Sequence, residues 1–420
     1  MTLSNFVRLL ISIYVLLLFS NCERKPIISQ IGDSEGLIRD TIIYNIDSFT
    51  YQSPPNIGTF PNLYFGSDSG YNSRFTLINI ANYSSDLTVT FPGLTDSLIE
   101  SIDSLFFIIT SKDTVMPEVA ETYHFNYFQS IESDSLFNEA SSNYLNLEDS
   151  SQIFTMFNEP LVSVAIMSID DTVATHPFVK FDLTESRNDI INSFADTAGG
   201  VKNRSFVIWK EESTTGISSF FSRNATSFRP RLQVHYQKNI GTDSTGAVIL
   251  DTLIKSFYPD NDLSIIYPPA LISADTTLIS VGRAKGLQSI LQFDVDSNTF
   301  PVESVIRSAK LTLYPDTSNS DLGGYVIGLY SILDSQAVED PDGDPYLIQI
   351  DLPDPAVGAN AVELDLKIFV GAVTLKQFEN YGLKIISTSA NDPFEIARFD
   401  SDTSSINDFR PRLRVIYVTP

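Results

Sequence analysis

The sequence predicts an all-β protein: two tandem jelly-roll-like β-sandwiches, each with one short helix, behind an export signal. Three observations lead there. Strand formers are abundant, with 29 Phe and 18 Tyr among 420 residues, while Ser, Asp and Asn recur at short intervals as turns require. The chain ends in Phe409-Arg410-Pro411-Arg412-Leu413-Arg414-Val415-Ile416-Tyr417, whose near copy is Phe228-Arg229-Pro230-Arg231-Leu232-Gln233-Val234-His235-Tyr236. Both copies alternate apolar and polar residues as a half-buried strand does, with proline at the entry where no ladder N–H is needed. Other segments recur in the same order, so the domain occurs twice.

The amino terminus comes first. Arg8 precedes an apolar run, Leu9 to Phe19, too short to span a bilayer and of signal-peptide length. Residues 1–21 look like a bacterial lipoprotein signal peptide, with Cys22 as the lipidated residue. Cys22 is the only cysteine in the chain, and its place directly after the apolar run gives it a use. Acyl chains there anchor the protein to a membrane. The expected location is the bacterial cell envelope, lipid-anchored, periplasmic or on the outer-membrane surface. Residues 22–37 are a polar tether.

The first sandwich is expected over 38–238, opening near Asp40-Thr41-Ile42-Ile43, and the second over 248–420, opening near Asp251-Thr252-Leu253-Ile254. Residues 239–247, with Gly241-Thr242-Asp243-Ser244-Thr245-Gly246, have linker chemistry. Between the openings and the closing strands, Gly66 and Ser73 match Gly282 and Ser289 in spacing. Ile102-Asp103-Ser104 answers Ile306-Arg307-Ser308, and Phe181-Asp182-Leu183 answers Leu364-Asp365-Leu366. The first copy carries a long insertion within 110–179. Thr184 to Phe194 and Lys367 to Asn380 are the two helical pieces, with Thr184 as an N-cap.

With these anchors assembled, each half resembles the DNRLRE-type domains, jelly-roll modules grouped with carbohydrate-binding modules. The second copy carries the pattern most fully: Val281-Gly282, Phe293-Asp294-Val295, the strand from Ile306 to Tyr314, and Arg410-Pro411 through Tyr417. The matching residues are mostly packing positions and carry over no binding site. What the resemblance implies is an accessory module on exported proteins, engaging polysaccharide.

Composition narrows the chemistry. A net charge of −25 argues against nucleic acid, whose phosphates need clustered Lys and Arg. No nucleophile elbow, zinc-protease helix or phosphate loop occurs, and His124, His176 and His235 lack metal-ligand spacing. The chain therefore reads as no enzyme. No cofactor is required, although Asp340, Asp342 and Asp344 around Gly343 would suit calcium, a cation that takes oxygen ligands. The other reading of that run is an acidic turn. For a sugar, exposed aromatic rings near loops are needed, which selects Tyr64, Tyr71, Tyr258, Tyr267 and Tyr381. Trp209 lies in a strand apolar on both faces and is assigned to the core. Two functions are compatible with this: a membrane-tethered polysaccharide-binding protein, or a structural envelope lipoprotein docking a protein partner.

Overall fold

The computed structural model describes residues 37–80, 99–130, 137–147, 159–167, 176–187, 189–190, 202–211 and 216–419. Within the last span, 297, 302, 317–324, 333–346, 350–355, 358–360, 378, 389–390 and 402–408 are left out. The signal segment, Cys22 and the Asp340–Asp344 run lie outside the described residues. Strands dominate, at 54% against 6% helix, in several antiparallel sheets. The all-β sandwich is as the sequence predicts.

The strands in chain order are β1 (Ile38–Ile43), β2 (Ile46–Gln52), β3 (Asn62–Asp68), β4 (Tyr71–Asn79), β5 (Ile99–Thr110), β6 (Thr122–Ser130), β7 (Val162–Ala165) and β8 (Phe178–Asp182). There follow β9 (Lys202–Lys210), β10 (Gly216–Phe221), β11 (Arg231–Thr242), β12 (Val248–Phe257) and β13 (Asn261–Tyr267). Helix α1 (Ser273–Thr277) leads to β14 (Ile279–Val281), β15 (Leu287–Phe293), β16 (Val305–Leu313), β17 (Tyr325–Ile332), β18 (Leu347–Gln349), β19 (Ala356–Val357) and β20 (Val362–Asp365). Helix α2 (Lys367–Thr374) precedes β21 (Leu383–Ser387), β22 (Ala397–Phe399) and β23 (Arg412–Val418).

Sandwich one packs the sheet β10-β3-β4-β9-β6-β7, with β13 also on β4, against β12-β11-β5-β8. Its core runs through Phe65, Phe107, Phe125, Phe181, Phe206 and Leu232, all fully buried. Sandwich two packs β1-β23-β16-β20 against β18-β17-β21-β15-β2, around Leu291, Leu311, Leu364, Phe369 and Leu413. In both, the inward residues alternate along the strand, and their burial supplies the main driving force for stacking two sheets.

The opening strands do not lie where chain order suggests. β1 pairs with β23, Ile43 opposite Leu413, and β2 pairs with β15. Residues 38–52, the two opening strands and the turn between them, thus complete the second sandwich, not the first. Conversely β12 pairs with β11, Phe257 opposite Leu232, and β13 pairs with β4. The expected linker is instead a hairpin turn: the Asp243 carboxylate accepts from the N–H groups of Thr245 and Ala247, closing β11 onto β12. Both expected sandwich boundaries, 38–238 and 248–420, are corrected accordingly. The ladders also place the two openings three residues off their Asp-Thr match, with Ile43 rather than Asp40-Thr41 setting the correspondence to Phe257, because register follows which residues face the core.

The chain crosses from sandwich two to one over 53–61 and returns over 268–278. Each crossing is fastened to sandwich two: the Gln52 side-chain amide of β2 donates to Pro269 O at 2.9 Å, and Ser53 N donates to Gly286 O, in the turn before β15, at 2.8 Å. Gly286 is required here, with φ of +70° and the Ser53 carbonyl where a Cβ would sit.

Beyond the openings the copies agree in detail. Ile-x-Ser is a β-bulge in both: the register against the closing strand skips Asp103 in β5 and Arg307 in β16. Asp182 and Asp365 each accept from the backbone N–H two residues on, Thr184 and Lys367. Thr184 does not cap a helix through its hydroxyl, which accepts from Leu105 N at 3.3 Å. Of the predicted Thr184–Phe194 helix, Arg187, Asp189 and Ile190 are helical and 191–194 lie outside the described residues. The second predicted helix is shorter than the Lys367–Asn380 span, ending at Thr374.

Part of the insertion in the first copy has a clear task. Phe137 and Leu147 cover the outer face of the β4–β9 sheet, burying Leu77, Val207, Trp209 and Leu263. This second apolar layer is why β9 is apolar on both faces, and it places Trp209 in the core as predicted.

Candidate binding cleft

The start of the closing strand in sandwich one forms one wall of an open cleft of about 410 Å³, within the range of small-ligand sites. Its useful groups are Phe228, Arg229, Arg231, Gln233, Ser256 and Tyr258. The local build follows from the sequence. Pro230 is buried and starts the strand, and Leu232 points to the core, so Arg231 and Gln233 face outward by alternation. Phe257 opposes Leu232 in the ladder, which puts Tyr258 beside Arg231. Arg229 is fastened by its Nε–H to Ala225 O at 2.8 Å.

Phe228 sits at φ +58°, a left-handed conformation that is an outlier for a bulky side chain and recurs at functional sites. It rests on His176 and Phe221, with ring centroids 5.0 and 5.4 Å away. It is nonetheless 41% exposed, and Tyr258 is 52% exposed. Burial pulls the Arg231 guanidinium below its ordinary value, far too little to discharge it at neutral pH. Among the described residues lining the cleft, two are arginines and none is a carboxylate. In a chain of net charge −25 that is a local reversal of sign.

The predicted tyrosines are not brought together. Tyr258 alone stands in this cleft. Tyr64 and Tyr71 are buried where the sandwiches meet, each edge-on to Phe394 of sandwich two, at 5.0 and 5.2 Å. Burial pushes the Tyr64 hydroxyl up to about 12. They are joint residues, packed between the two sandwiches. Tyr267 stacks on Tyr144 at 5.0 Å, held by the insertion. Tyr381 packs against Ile290 and Ile332 and donates its hydroxyl to Glu379. Sequence reasoning missed Phe228, Arg229 and Arg231 because their motif looked like packing alone. The clue was present: two arginines flanking a proline at a strand entry have no core to face.

A second cleft, about 360 Å³, has Glu121 and Ser218 on its wall. Glu121 accepts from Lys210 at 2.7 Å and from Ser218 at 2.9 Å on one oxygen, and from Tyr123 on the other. Lys210 is buried. A carboxylate so fully engaged holds its neighbours in place and has little left for a ligand.

His235 lies edge-on to Phe106 at 5.3 Å, and His124 stacks on Trp209; each histidine has an aromatic neighbour. Among the described residues no group of three or more His, Cys, Asp or Glu side chains is placed to hold a metal, and no helix is long and apolar enough to cross a membrane. Compared with protein-family models and with curated proteins, the chain matches none.

Proposed function

We propose that this chain is a membrane-tethered, extracytoplasmic, non-catalytic binding protein, and that sandwich one takes an acidic polysaccharide in the Phe228–Tyr258 cleft. The observation that carries the reading is the pairing of two exposed aromatic rings with two arginines in one groove. Ring faces stack on the apolar faces of sugars. A guanidinium grips a carboxylate or sulfate through two parallel hydrogen bonds. Gln233 and Ser256 add neutral donors and acceptors for hydroxyls. The resemblance to DNRLRE-type modules points the same way, and Cys22 supplies the tether.

Calorimetry with oligogalacturonate, against a neutral glucan as control, tests this. Binding should be selective for the acidic sugar and weaken as salt rises. Tyr258→Ala and Arg231→Ala should each weaken it tenfold or more. Equal retention of the neutral glucan, or variants that bind as wild type, would remove the reading.

One observation favours the alternative, an envelope protein docking a protein partner. Strand β12 is a sheet edge that exposes Val248, Ile249, Leu250 and Ile254, and such edges accept an added strand. Ile254→Lys would disrupt a protein partner's docking and leave sugar binding untouched.

A further inference from the structure

We infer that sandwich two carries a second acidic-saccharide site at Tyr44, Phe409 and Arg412, half of it delivered by the N-terminal strand; this rests on the reading of the first cleft. The ladders make the correspondence residue by residue. Leu232 opposes Phe257 and Phe107, while Leu413 opposes Ile43 and Leu311. Counting outward, Arg412 stands for Arg231, Phe409 for Phe228, and Tyr44 for Tyr258.

The side chains at those places have the required character. Tyr44 is 57% and Phe409 43% exposed. Arg412 is exposed, with its guanidinium 5.6 Å over the ring of Tyr314, which also packs 5.6 Å from Phe409. That cation–π contact orients the guanidinium without neutralising it. Tyr314 has no counterpart ring in the first cleft, where the matching position by the same ladders is Thr110.

The two sites differ in a way that sets their ranking. Arg414 occupies the place of Gln233, but Asp40 holds it through Nε at 3.1 Å and Nη2 at 2.6 Å, so its charge is offset. Ile42 replaces Ser256, removing a hydroxyl. The second site therefore keeps Arg410 and Arg412 in the places of Arg229 and Arg231 but has fewer neutral hydrogen-bonding groups and a carboxylate, Asp40, close by, and should be the weaker. Joined on one chain, the sites should hold a polymer more tightly than either alone.

The test is calorimetric titration of the full chain with a short oligogalacturonate that cannot bridge both sandwiches. Two sites of unequal affinity are expected. Tyr44→Ala with Arg412→Ala should remove the weaker site alone, and Tyr258→Ala the tighter one, with melting curves confirming that each variant is folded. A single site lost with Tyr258→Ala would keep the first reading and overturn this inference. No heat from the wild-type chain would overturn both.

Discussion

Sandwich one is continuous in the chain, from β3 through β13, whereas sandwich two is split, with β1 and β2 placed before everything else and the remainder beginning only at β14. Their ladders, bulges and closing strands nevertheless match. The same architecture has been filled once by neighbouring sequence and once by sequence more than 200 residues away. Sandwich one is thus in effect inserted into sandwich two, and the carboxy-terminal Thr419 N donates to Leu37 O at 3.2 Å. What this teaches is that a repeat's boundaries in sequence need not be its boundaries in folding.

The largest test of that difference is truncation. Residues 53–268 alone contain every strand of sandwich one and should unfold in one cooperative transition. Removing residues up to 52 from the full chain should leave that transition intact and abolish the one belonging to sandwich two. Calorimetry with limited proteolysis would read both, and loss of sandwich one on removing the N-terminal hairpin would break the comparison.

Single core truncations sharpen it. Phe257→Ala, although in the sequence of the second copy, should lower the transition of sandwich one by about 3–5 kcal/mol. Ile46→Ala, near the amino terminus, should lower that of sandwich two by about 2–5 kcal/mol. Chemical denaturation of each variant would show which transition moves.

The pH responses should be opposite. Burial pushes the Asp262 carboxyl in sandwich one from 3.8 up to about 7. Between those values the folded chain keeps a proton that the unfolded chain has released. The stability of sandwich one should therefore fall as pH rises through that window, by about 4 kcal/mol at about 1.4 kcal/mol per unit. Asp262→Asn should flatten the slope. In sandwich two, burial raises the Asp275 carboxyl, but hydrogen bonds from Lys285 and Arg398 outweigh it and the net direction is downward. That group's contribution is present above the ordinary carboxylate range and is lost as pH falls below it. Melting curves across pH 3–8 would separate the two.

The smallest effect should come from Arg414→Ala. The Arg414–Asp40 pair ties β1 to β23 on an open surface, where water and salt screen it. The transition of sandwich two should stay within measurement error, while loss of β1 docking would give this pair a weight that exposure argues against.

Much of this was legible in the residues. The alternation of Leu413, Val415 and Tyr417 with polar neighbours, the repeated Ile-x-Ser and Phe-Arg-Pro motifs, and the Asp-Leu turn all report local geometry, and each appears as a strand, a bulge or a turn. Trp209 was assigned correctly because a doubly apolar strand needs cover on both faces. Tyr64 and Tyr71 misled because loop-adjacent tyrosines look free until a second domain closes over them.

Sequence by itself thus determined the all-β class, the recurrence of the strand motifs and the inward face of the closing strands, because steric preference and the two-residue pleat act within a few positions. Only tertiary structure decided which copy each opening hairpin serves, which tyrosine remains open, and that Phe228, Arg231 and Tyr258 share a groove. Those outcomes depend on pairing between segments distant in the chain, which alternation within a few positions does not specify.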